Sequence, residues 1–162
     1  MSTLHWAGLI GLAMIAGAVV PFQSAINVNL GRGLSHPLWA TLASLLVSVV
    51  VLLPIIVAMR LPLPSLAFIS KAPLWMWAGG AFGVIFISLA LVLLPKLGAA
   101  GFMALALAGQ VVGSLLLDHF GWFGLVERQI NLPKLVGVML LMAGVVLIQF
   151  FDAPAKGLVT AG

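Results

Sequence analysis

Two pairs of polar side chains lie deep inside long apolar runs and are spaced to act together. Gln23 and Asn27 are four residues apart in the first run, and Gln110 and Ser114 are four apart in a later one. Because residues four apart share one face of a helix, each pair forms a polar stripe. We expect the two stripes to bind a small-molecule substrate. The alternative is that they only hold neighbouring helices together by hydrogen bonds.

Asp118 and His119 extend the second stripe to the end of its apolar run. They are candidates for coupling through a proton, or else polar groups at the membrane interface. The chain has no Cys and only three widely spaced His residues, so we predict no metal site and no cofactor. Since no set of nucleophile, base and metal can be assembled, we do not expect an enzyme.

Pro21 lies inside the first apolar run, close to the Gln23 and Asn27 pair. A proline cannot donate a hydrogen bond to the carbonyl four residues earlier, here that of Gly17. We therefore predict a helix kink at Pro21 and Gly17, beside the polar stripe. Broken helices next to deep polar side chains are typical of binding sites in transport proteins.

Composition indicates the elements that must position these residues. Of 162 residues, 64% are hydrophobic and 6% charged, and the mean hydropathy is +1.30. This composition excludes a soluble domain and a disordered chain. The seven Lys and Arg residues are scattered singly between apolar runs, so they do not form a nucleic-acid surface. The lipid bilayer is the expected partner.

The apolar runs predict an all-α integral membrane protein with one transmembrane domain over residues 1–162. Five helices are expected, at about 4–30, 37–59, 73–95, 97–118 and 133–151. The first run is longer than a signal-peptide core, so we expect it to be retained. All five Trp residues fall at the predicted boundaries or in the links, as in an interfacial aromatic belt. Glycines predict closely packed helix faces; they are Gly79, Gly80, Gly83, Gly109, Gly113, Gly137 and Gly144.

The basic residues are almost evenly divided between the two sides of such a membrane protein. Arg60, Lys71, Arg128 and Lys134 lie on one side and Arg32, Lys96 and Lys156 on the other. A clear excess on the cytoplasmic side normally sets the orientation. The balance favours insertion in both orientations, which would allow two inverted copies to pair. A single orientation with the N-terminus in the cytoplasm is the alternative.

Three segments resemble the YdcZ-like family, a half-size, five-helix branch of the drug/metabolite transporter superfamily. They are PFQSAINVNLG at 21–31, PKLGAA at 95–100 and GQVVGSLLLDHFG at 109–121. The resemblance covers nearly the whole chain. It implies a protein of the bacterial inner membrane that pairs as an antiparallel homodimer, or with a paralogous partner, to form the equivalent of a ten-helix transporter. It also implies that helices 1, 3 and 4 line a central cavity.

The function that follows is that of a secondary transporter, exporting a small organic metabolite or drug by alternating access. Small multidrug exporters of the same superfamily use a glutamate on helix 1 to exchange protons for cations, and the first run here contains no acidic residue. A neutral or zwitterionic substrate, bound by amides and by aromatics such as Phe82, Phe86 and Phe102, is at least as well supported. The alternative function is a non-transporting membrane subunit or assembly protein.

Overall fold

The structure, a computed structural model, describes residues 3–151, and helices are the only regular secondary structure in that range. The α-helices are α1 Thr3–Gly33, α2 Pro37–Ala58, α3 Leu66–Lys71, α4 Ala78–Phe120 and α5 Leu132–Phe150. Two 3-10 turns, Leu74–Trp77 and Trp122–Gly124, flank α4. No strand occurs among these residues, so the predicted all-α fold is confirmed.

The starts of α2 and α5 are set by capping residues followed by a proline. The Leu38 backbone N–H donates to His36 Nδ1 at 3.2 Å, and the Lys134 backbone N–H donates to Asn131 Oδ1 at 3.0 Å. Each cap satisfies a backbone donor that a helix start leaves free. Both helices begin and end within one residue of the predicted bounds.

Helix α4, with 43 residues, covers the predicted helix 73–95 from residue 78 onward and all of the predicted helix 97–118. Helical backbone continues through Pro95 and is interrupted at Gly98, where φ is 72° and ψ is 161°. Only glycine adopts this region of backbone space without strain. The break predicted between the third and fourth helices therefore exists, and its non-helical residue is Gly98.

Four helical stretches are long and apolar enough to cross a membrane: His5–Gly33, Pro37–Ala58, Leu74–Phe120 and Leu132–Phe150. The third has 47 residues, about 70 Å at 1.5 Å per residue, which is twice the thickness of a hydrocarbon core. Divided at Gly98, it gives two parts that are each long enough for one crossing, so four or five helices could span a membrane. The tryptophans lie near helix starts or in the 3-10 turns, as a membrane-interface belt requires.

The chain divides into two compact units, Met1–Lys96 and Leu97–Gly162. In the first, a small core joins α1, α2 and the first part of α4 through Val28, Ala40 and Leu91. Gly31 lies at this junction: a Cβ there would be 3.4 Å from Leu91 Cδ2 and 3.6 Å from Ala40 Cβ. The missing side chain therefore lets the three helices approach closely. The prediction of one transmembrane domain over 1–162 stays a prediction.

The seven glycines predicted to mark packed faces are open. A Cβ on Gly79, Gly80, Gly83, Gly109, Gly113, Gly137 or Gly144 would meet no atom within 4 Å among the described residues, apart from its own helix turn. Within each unit, no other described helix packs closely at these positions, and the prediction of closely packed faces there stays a prediction. In the second unit the close approach is at Gly101, where a Cβ would lie 2.9 Å from Gln149 Nε2.

Candidate functional site

The predicted pair on α1 lies where this helix faces both α2 and α4. The Asn27 side chain is buried, with 6% of its surface exposed, while Gln23 is more exposed. Two residues before Gln23, Pro21 lies inside α1, which stays helical on both sides of it. Because Pro21 has no N–H, the Gly17 carbonyl receives no hydrogen bond from it. The kink itself stays a prediction.

Asn27 is tied to α2 by a hydrogen bond between side chains. Its Nδ2 donates to Ser44 Oγ at 3.1 Å, which leaves Asn27 Oδ1 available as an acceptor. A polar contact of this kind is what the alternative function requires, since it joins helices. Ser44 was not predicted as a site residue.

A second polar contact joins α2 to α4. The Thr41 and Ser88 hydroxyl oxygens are 3.2 Å apart, and Thr41 Oγ1 also donates to the Pro37 carbonyl at 3.3 Å. Thr41 is buried, with 3% of its surface exposed. Sequence reasoning missed both residues, although Thr41, Ser44 and Ser48 recur at the three- and four-residue spacing of one helix face.

Gln23 and Asn27 line two cavities, one on each side of α1. The larger, about 610 Å³, lies against α2, and its polar residues are Gln23, Asn27, Ser44 and Ser48. The smaller, about 240 Å³, lies against α4 and is lined by Gln23, Ser24 and Asn27 from α1, with Gly83 and Phe86 opposite. The predicted stripe on α1 therefore does border space that a small molecule can occupy.

The second predicted pair, on α4, is more exposed than Asn27 and does not line either α1 cavity. Gln110 and Ser114 both lie on the surface of α4. Ser114 Oγ donates to the Gln110 carbonyl at 2.7 Å, a bond within the helix that satisfies the hydroxyl without a ligand. A role for these two residues in substrate binding stays a prediction.

Asp118 and His119 lie at the end of α4, next to the turn that leads toward α5. The Arg128 backbone N–H donates to the Asp118 carbonyl at 2.7 Å, which closes this turn. The His119 ring meets Phe120 edge-on, with the ring centres 4.9 Å apart, and His119 Nδ1 is buried without a hydrogen-bond partner among the described residues. A coupling role for the pair stays a prediction.

The chemistry that these groups support is hydrogen bonding. Every polar group at the two α1 cavities is an amide or a hydroxyl, which can donate and accept hydrogen bonds without changing charge. Residues 3–151 contain no cluster of three His, Asp or Glu side chains that could hold a metal ion. The arrangement fits reversible binding of an organic molecule.

Comparison with known proteins identifies the family. A family model described as "Putative inner membrane exporter, YdcZ" matches residues 8–147, which include nearly all of α1, α2, α4 and α5. The chain belongs to the YdcZ family. The resemblance of the three sequence segments is thereby confirmed. Searches of curated proteins and of solved structures found no match.

Membership of the YdcZ family agrees with the architecture. Its description is that of an exporter in the inner membrane, and the apolar helical stretches of this chain are long enough to cross a bilayer. The cavity-lining amides Gln23 and Asn27 fall within the matched region. The residues that border the two α1 cavities therefore belong to the part of the chain that places it in the YdcZ family.

Proposed function

We propose that this YdcZ protein is a secondary transporter that exports a small organic metabolite or drug by alternating access. The observation that carries the proposal is that Gln23 and Asn27 border a cavity on each side of α1. Transport proteins often bind solutes at polar side chains that lie deep in the membrane, on helices that a proline or glycine interrupts. Gln110 and Ser114 complete the proposed substrate-binding set, and Asp118 with His119 couples transport to a proton.

The working unit in this proposal is an antiparallel dimer of two identical chains in a bacterial inner membrane. Four basic residues on one side against three on the other leave insertion nearly unbiased. Open glycine faces, such as those at Gly80, Gly113 and Gly144, offer smooth surfaces on which a second copy can pack. Two inverted copies of five helices would then supply the symmetry on which alternating access depends.

Labelling of single cysteines tests the dimer, because the chain has no native Cys. Cysteine replaces Ser35 between α1 and α2, and in a second variant Gln129 between α4 and α5. Both residues are exposed. A membrane-impermeant reagent is applied to intact cells and again after permeabilisation. Each site should be about half accessible from outside, since half of the copies insert each way. Complete labelling of one site and none of the other would contradict a homodimer of inverted copies.

Export itself is tested with inverted membrane vesicles and a panel of labelled neutral and zwitterionic organic compounds. We expect uptake of at least one compound by the wild type and its loss in Gln23→Leu. The matched control is Phe22→Leu, one position along α1, where the side chain is exposed and borders neither α1 cavity. Equal uptake by empty, wild-type and variant vesicles would contradict transport.

The alternative is a non-transporting membrane subunit, and two contacts favour it. The hydrogen bonds Asn27–Ser44 and Thr41–Ser88 join helices without any ligand. In that case Gln23→Leu would leave the stability of the protein unchanged, because Gln23 makes no hydrogen bond with another described residue. Only variants of the bonded residues would then lower the stability of the protein.

A further inference from the structure

The smaller cavity beside α1, which we call the α1–α4 cavity, is walled by polar groups on one side and apolar groups on the other. Gln23, Ser24 and Asn27 lie within two turns of α1, and Phe86 and Ile87 come from α4. Its volume is about 240 Å³, which suits a molecule the size of a substituted benzene ring. Polar groups concentrated on one wall orient a ligand, and apolar groups opposite hold its body.

The polar wall has hydrogen-bonding capacity that the protein does not use. Ser24 is buried, with 5% of its surface exposed, and its hydroxyl has no partner among residues 3–151. The Gln23 amide is likewise unpaired within that range, and Asn27 uses only its Nδ2, toward Ser44. Gln23 is exposed, and the Ser24 hydroxyl is not among the enclosed polar atoms that lack a partner, so both groups are open to a ligand in the cavity. The three side chains together offer donors and acceptors to a bound molecule.

The α1–α4 cavity has no charged side chain in its described lining. An ion transferred from water into such a site loses its hydration and gains no counter-charge. A zwitterion would lose the hydration of two charged groups. The cavity therefore discriminates by charge, in favour of molecules that have none.

We propose that the α1–α4 cavity binds an uncharged organic molecule that carries an amide or hydroxyl group on a small apolar body. Gln23, Ser24 and Asn27 bind the polar group, and Phe86 packs against the apolar body. This inference rests on the proposed export function and narrows its substrate class. Of the neutral and zwitterionic compounds considered above, it favours the neutral ones.

Three molecules of one shape and different charge test the proposal at neutral pH: benzamide is neutral, benzoate an anion and benzamidine a cation. Binding to the full chain in phosphatidylcholine nanodiscs is measured by ligand-detected NMR. Neutral molecules also dissolve in lipid. We therefore compare only the part of the binding that is lost when a substitution fills the cavity. We expect that component to be about tenfold stronger for benzamide than for either ion.

Gly83→Leu fills the cavity. A Cβ at Gly83 meets no other atom within 4 Å, so the new side chain extends into open space. Gly79→Leu is the matched control, because Gly79 is equally open but does not line the cavity. Ser24→Ala and Gln23→Leu keep the cavity and remove one hydrogen-bonding group each. We expect Gly83→Leu to abolish benzamide binding, the two polar variants to weaken it about tenfold, and Gly79→Leu to leave it unchanged.

Equal benzamide binding by wild type and Gly83→Leu would overturn the proposal, as would cavity-dependent binding of benzoate or benzamidine as strong as that of benzamide. The result also separates this inference from the export function. Selective benzamide binding without uptake of any compound by vesicles would support the cavity and refute transport. Uptake of ions that Gly83→Leu abolishes would support transport and refute the uncharged substrate class.

Discussion

Asn27 both bonds to α2 and lines the α1–α4 cavity. The bond from Nδ2 to Ser44 Oγ fixes the orientation of the amide, and a fixed amide presents Oδ1 in a defined direction. Structural and binding roles are therefore not exclusive at this residue. Variants of Asn27 alone cannot separate them, whereas variants of Ser44 remove the helix contact and keep the amide.

A double-mutant cycle with Asn27→Ala and Ser44→Ala measures the contact. Hydrogen bonds between membrane helices are worth about 0.6 kcal/mol on average, so we expect a coupling energy of that size. The measurement is the free energy of unfolding in mixed detergent micelles.

Ser48→Ala is the control for that cycle. The Ser48 hydroxyl donates to the Ser44 carbonyl of its own helix, so its coupling to Asn27→Ala should be close to zero. Equal coupling at Ser44 and Ser48 would mean that the contact between Asn27 and Ser44 does not contribute to stability.

Gly98→Ala should lower stability by about 1–3 kcal/mol, because a Cβ is strained at φ 72° and ψ 161°. Gly80→Ala is the matched control in the same element: Gly80 is helical and its Cβ position is open. There alanine should stabilise the helix by about 0.5–1 kcal/mol. Thermal unfolding of the two purified variants, compared with wild type, gives both values, and a neutral Gly98→Ala would contradict the assigned backbone.

The sequence predicts some site residues better than others for a physical reason. A long amide such as Gln23 or Asn27 is conspicuous in an apolar run because it needs a partner in lipid. Small hydroxyls such as Ser24 or Ser44 are not conspicuous, since a serine can satisfy itself on its own helix backbone. Which of them bond across helices depends on packing, and packing is visible only in three dimensions.

At the scale of the helices, long apolar runs were sufficient to predict α1, α2 and α5 to within a few residues. Helix α3 was missed because its six residues, Leu66–Lys71, are too few to show a helical period. The predicted bounds place the break in α4 between residues 95 and 97, next to both Pro95 and Gly98. A proline loses one hydrogen bond yet keeps a helical φ, whereas Gly98 adopts a backbone conformation that ends the helix.

Capping gives a prediction at this scale. Asn131→Ala removes the acceptor for the Lys134 backbone N–H, and we expect the free energy of unfolding to fall by about 1 kcal/mol. Asn131→Asp keeps an oxygen at the same position and should retain most of the stability. Chemical denaturation in detergent compares the two, and an equal loss in both would show that the cap does not stabilise α5.

At the scale of the whole molecule, the basic residues are almost evenly divided between the two sides of the membrane. One added charge should therefore be enough to change the orientation in which the chain inserts. Val126 is 77% exposed between α4 and α5. Val126→Lys raises that side from four basic residues to five, against three, so it should direct that side to the cytoplasm. A cysteine at Gln129 would then lose most of its labelling from outside.

Leu34→Lys is the control, because it adds the charge on the opposite side and makes the count four against four. Labelling at Gln129 should then stay close to half. If neither lysine changes the labelling, charge does not decide how this chain inserts.

The length of α1 has a consequence for the membrane around the protein. Its 31 residues span about 46 Å, whereas α2 with 22 residues spans about 33 Å. A hydrocarbon layer about 30 Å thick matches α2, so α1 must tilt within it or project into the headgroups. In an inverted pair the two copies of α1 would do so from opposite leaflets. Hydrophobic mismatch would then affect both leaflets of the bilayer. Lipids with longer acyl chains would reduce the mismatch, and with it the tilt of the two copies of α1.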